Sequence, residues 1–96
     1  MRTHILNIRS NDQDLSILLG DVHGDRTSLI GRADIGGVAF IFAAAKAELG
    51  TDGKPLPAKH DPADDVIESL GMRAVPRNLV RVESYPYWLS IFRADP

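Results

Sequence analysis

Asp21, His23 and Asp25 fall at every second position in Gly20-Asp21-Val22-His23-Gly24-Asp25, directly after an apolar run. Carboxylate oxygens and an imidazole nitrogen suit a divalent cation, and alternation along an extended backbone would set all three on one face. The same glycine- and aspartate-rich stretch also suits a plain turn that closes a strand. A second group is larger. Tyr85, Tyr87, Trp88 and Phe92 lie within eight residues, with Arg73, Arg77, Arg81 and Arg93 around them and only Glu83 opposed. Aromatic faces and guanidinium groups together can stack bases and neutralise phosphates, or anchor a protein partner.

The stretch Gly20-Asp21-Val22-His23-Gly24 is similar to the first metal-binding motif of the calcineurin-like metallophosphoesterases, G-D-x-H-G. That resemblance implies Asp21 and His23 as ligands of one metal in a two-metal site that activates water for phosphoester cleavage. It covers six of the 96 residues, Asp25 included, and the family's later motifs have no counterpart in the chain. Without the family, Asp21 and His23 remain candidate ligands for one divalent ion.

Other chemistry is thinly represented. There is no cysteine, hence no disulfide, thiol nucleophile or thiolate metal site. No nucleophile-elbow pattern surrounds any serine. Gly31–Gly37 lacks the lysine-hydroxyl ending of a phosphate-binding loop, and Asp34 would set a negative charge where phosphate belongs. A net charge of −2 argues against a general polyanion binder. The expected cofactor content is therefore none, with a divalent metal as the alternative.

The elements that must position these residues centre on Asp34–Gly50. Ile35, Val38, Phe42, Ala45 and Leu49 recur at steps of three and four, which predicts a central helix capped by Asp34 and stopped by Gly50. Its opposite face carries Phe40, Ala43, Ala44 and Ala47. An apolar second face predicts burial within the chain or contact with a second copy. Asp61–Gly71 predicts a second, short amphipathic helix, with Pro62 at its first position and Asp64 and Asp65 near its dipole. His4–Arg9, Leu15–Val22, Leu79–Glu83 and Tyr87–Arg93 alternate as strands, and Thr27–Ile30 reads as either a short strand or a helical turn. Thr51–Asp61 reads as a long loop.

The sequence thus predicts one α+β domain over residues 1–96. It is a two-layer sandwich in ββααββ order: a mostly antiparallel sheet of about four strands with both helices on one face. A ferredoxin-like arrangement is the alternative. At 44% hydrophobic the composition is globular. No run reaches the roughly 18 apolar residues of a membrane span, and no signal peptide precedes the first strand, so a soluble cytoplasmic protein is expected.

The expected function is a non-catalytic binding or regulatory module. Its expected partner is a second copy or another protein, met through Phe40, Ala43, Ala44, Ala47, Arg77, Arg81, Tyr85 and Trp88. Single-stranded nucleic-acid binding by the arginine-aromatic hairpin is one alternative. A metal-dependent phosphoesterase or metal binder using Asp21 and His23 is the other.

Overall fold

Gly36 and Gly37 decide the architecture. Both have positive φ, 60° and 80°, the pair of values a two-residue hairpin turn with the twist of its flanking strands requires. In the computed structural model, which describes residues 3–10, 13–57 and 78–94, they join Ser28–Ile35 (β3) to Val38–Lys46 (β4). The two strands pair from Ile35↔Val38 through Ser28↔Ala45. The predicted central helix is therefore a strand hairpin. Asp34 is an exposed strand residue paired with Ala39 instead of an N-cap. Gly50 donates its amide to the Lys54 carbonyl in a turn instead of ending a helix.

Four further strands complete the sheet: Thr3–Ser10 (β1), Gln13–Asp21 (β2), Asn78–Val82 (β5) and Tyr85–Arg93 (β6). All neighbours are antiparallel, in the order β1-β2-β3-β4-β6-β5. The expected α+β sandwich is thus corrected to an all-β, six-stranded, nearly closed barrel-like sheet, with no helix among the described residues. The predicted helix at Asp61–Gly71 lies outside the described residues. No helix among the described residues is long and apolar enough to cross a membrane.

The misreading has a physical origin. From Val38 to Ala45 every residue is apolar, so spacings of two, three and four are all satisfied. Phe42 and Ala44 pack inside with Leu6, Ile17, Leu19, Leu29, Val82, Tyr87 and Leu89. Ala43, on the other face by alternation, is buried as well. A strand covered on both sides reads as a continuous hydrophobic run. The β-branched and aromatic residues Val38, Phe40, Ile41 and Phe42 favour the extended form.

The sheet curls at one corner and closes at one seam. The β2–β3 ladder holds two residue pairs, Gly20↔Ile30 and Asp21↔Leu29. Just beyond, Gly31 passes so close to β2 that a Cβ would lie 2.2 Å from the Leu18 carbonyl oxygen. Only glycine fits that bend. The two outer strands, β1 and β5, approach each other where His4 meets Glu83, the first residue of the β5–β6 turn.

Candidate functional site

Of the predicted metal residues, Asp21 ends β2, and His23 and Asp25 lie in the loop that follows. Positive φ at Gly24 (77°), between His23 and Asp25, breaks the alternation that would have aligned Asp21, His23 and Asp25. Asp21 is buried, and its two carboxylate oxygens accept the amides of Gly24 (2.9 Å) and Arg26 (2.8 Å). His23 is exposed. Asp25 turns to Thr27, accepting its hydroxyl at 2.6 Å and its amide at 3.1 Å. These bonds, the hydroxyl's first, hold the Asp25 carboxyl below its ordinary value of 3.8. Among the described residues no three His, Cys, Asp or Glu side chains come close enough to hold a metal.

The predicted partner face is dispersed by the change from helix to strand. Ala43, Ala44 and Ala47 are buried, and Phe40 is half-buried against the core. The helical face argued for a second copy therefore does not exist as a surface. The apolar side chains that β1 and β2 expose lie elsewhere, with Ile5 and Leu18 paired across the two strands.

The arginine-aromatic group is partly brought together. Tyr87 is buried and donates its hydroxyl to the Arg26 carbonyl at 2.7 Å. Its burial, foremost, raises its pKa above 10.0. Tyr85 meets Tyr87 edge to face, and the Lys46 ammonium sits 4.5 Å from its ring centroid. Trp88 is half-buried and donates its indole N–H to the Leu56 carbonyl at 3.1 Å. Tyr85 and Tyr87 thus pack on each other, and Trp88 is engaged with the loop instead. Arg77 and Arg73 lie outside the described residues.

Arg81 and Tyr85 do share a groove. The Leu49↔Pro55 bridge closes a loop, and the Trp88–Leu56 bond tethers that loop to β6. Between the loop and the β5–β6 hairpin lies a groove of about 410 Å³. Leu49 and Pro55 line it from the loop, and Leu79, Arg81, Tyr85 and Pro86 from the hairpin. Ser84 stands at the turn, where its carbonyl accepts a guanidinium N–H of Arg81 at 3.2 Å. Glu83 and Ser84 both have positive φ, 51° and 72°, a conformation that costs a non-glycine residue about 1–2 kcal/mol.

Leu49, Pro55, Leu79, Ser84 and Pro86 are not among the site residues that the sequence predicts. Leu49 reads as a helix residue once Asp34–Gly50 is taken for a helix, and Ser84–Pro86 reads as the turn itself. The available signal was Thr51-Asp52-Gly53-Lys54-Pro55, a tight turn that folds Pro55 back on Leu49.

No family model matches the chain, and neither a curated protein nor a solved structure matches it.

Proposed function

We propose that the protein is a non-catalytic binding module whose ligand site is the groove between the Leu49–Pro55 loop and the β5–β6 hairpin. The groove itself carries this reading. Its volume of about 410 Å³ lies in the range of small-ligand sites, and apolar side chains with a few polar groups line it.

The non-catalytic part draws on the hydrogen-bonded acid-base pair that the described residues present, His4 and Glu83. His4 Nδ1 bonds Glu83, but His4 Nε2 is sealed from solvent and has no partner. A nitrogen so enclosed cannot reach a proton on a substrate in the groove.

The test is a fragment screen by ligand-observed NMR on the full chain, repeated with Leu79→Glu and Leu49→Glu. Both leucines are exposed, so each change alters the groove and spares the core. Hits lost in both variants support the reading. A screen without hits, or hits indifferent to both changes, overturns it.

A further inference from the structure

We infer that the groove takes a small amphipathic acid, with a single carboxylate held by Arg81 and an apolar or aromatic body against Leu49, Leu79 and Pro86. This deepens the proposed function and rests on it.

Charge carries the inference. Among the described residues Arg81 is the only Lys, Arg, Asp or Glu in the lining. Glu48, Asp52 and Glu83 neighbour lining residues in the chain, yet none of them lines the groove. Glu83 is turned to His4, and Asp52 accepts the Lys54 amide at 3.0 Å. A cation on a wall whose other described residues are uncharged selects an anion by complementarity.

Geometry narrows the anion. One N–H of Arg81 donates to the Ser84 carbonyl, which restrains the guanidinium of an exposed side chain beside the groove and leaves its other donors to a ligand. A planar guanidinium matches a carboxylate through two parallel hydrogen bonds. A phosphate dianion calls for more positive charge than one arginine supplies. The rest of the lining sets the other half of the ligand. Leu79 and Leu49 are 47% and 44% exposed, apolar area that a ligand body would remove from water. A free small acid suits a groove of this volume, because an apolar body then fills it from the anchoring end.

The experiment pairs each acid with its own amide. A panel of small aromatic and branched aliphatic carboxylic acids, with the matching primary amides, is titrated into the full chain by NMR chemical-shift mapping. Acids are expected to shift Leu79, Arg81 and Ser84 and to bind on the order of tenfold or more tighter than their amides. In Arg81→Gln the acid and amide affinities converge. Arg81→Lys, which keeps the charge and loses the fork, falls between. Amides that bind the wild type as well as their acids overturn the carboxylate assignment and leave the groove standing. If neither series shifts groove residues, the binding-site reading itself falls.

Discussion

His4 and Glu83, 79 residues apart in sequence, meet at 2.8 Å and tie the first strand to the last hairpin. A carboxylate only accepts, so Nδ1 carries the hydrogen of this bond. The bond sits where β1 and β5, the ends of the strand order, come together, and it helps turn an open sheet into a nearly closed one. His4 is 3% exposed, whereas the Glu83 side chain is 49% exposed. The imidazole is thus the partner that gave up water.

That asymmetry predicts unequal losses. Glu83→Ala strands a buried N–H and should cost about 1–3 kcal/mol of unfolding free energy. His4→Leu removes both ring nitrogens, of which Nε2 already lacks a partner, and replaces them with apolar volume. It should cost less than Glu83→Ala, or be neutral. The double variant should be no weaker than His4→Leu alone. Urea denaturation of the three variants checks this. A His4→Leu loss larger than that of Glu83→Ala would show that the imidazole contributes more than this bond.

Gly36 and Gly37 give a prediction whose sign separates the two readings of the central stretch. In a helix, replacing either by alanine stabilises by roughly 1 kcal/mol. In the observed turn, alanine must adopt positive φ and destabilises by about 1–2 kcal/mol. Gly36→Asn should be nearly neutral, because asparagine followed by glycine suits this turn. Thermal unfolding monitored by circular dichroism checks the sign. Stabilisation by both alanine changes would restore the helix.

Parts of the fold are legible where polar and apolar residues alternate. In β1, Leu6 and Ile8 point inward while Ile5, Asn7 and Arg9 point outward, and the sequence pattern marks that strand directly. β6 is buried on both faces as well, Ser90 and Phe92 as deeply as Tyr87 and Leu89, and is readable through its aromatic and β-branched residues instead of through alternation. The central hairpin is not, because burial on both faces erases the period. Alanine then tips the balance, since it favours helix locally while the sheet uses it for close packing. Arg81 was identified from the sequence and does line the groove. Its apolar neighbours come from a loop and a strand about 30 positions apart, a juxtaposition that only the sheet order sets.

Asp21 separates a loop anchor from a metal ligand. As an anchor it satisfies the Gly24 and Arg26 amides from a buried position. Asp21→Ala should cost about 1–3 kcal/mol by leaving those amides unpaired, and the loss should be the same with and without a chelator. The wild-type midpoint should likewise not move on adding magnesium or manganese. Differential scanning fluorimetry across chelator and metal series reads both quantities. A metal-dependent rise of the wild-type midpoint, lost in His23→Ala, would return the motif to metal binding.

Tyr87 sets the alkaline limit. Burial raises its pKa above 10.0, Asp21 and Glu83 push the same way, and Arg26 opposes them. The folded state thus disfavours tyrosinate more than the unfolded chain does. For a group raised on folding, the stability it contributes is full below the unfolded value and is lost as pH rises through the folded one. Wild-type stability should therefore fall with increasing pH from about 10 upward, in part through this residue. Tyr87→Phe removes both the titrating oxygen and its 2.7 Å bond to the Arg26 carbonyl. It should cost about 0.5–1.5 kcal/mol at neutral pH and flatten the alkaline decline. Lysines titrate in the same range in both proteins, so the difference between the two pH profiles isolates Tyr87. Parallel profiles would mean that the buried hydroxyl ionises as readily folded as unfolded, and that its seat beneath the Arg26 loop is open to water.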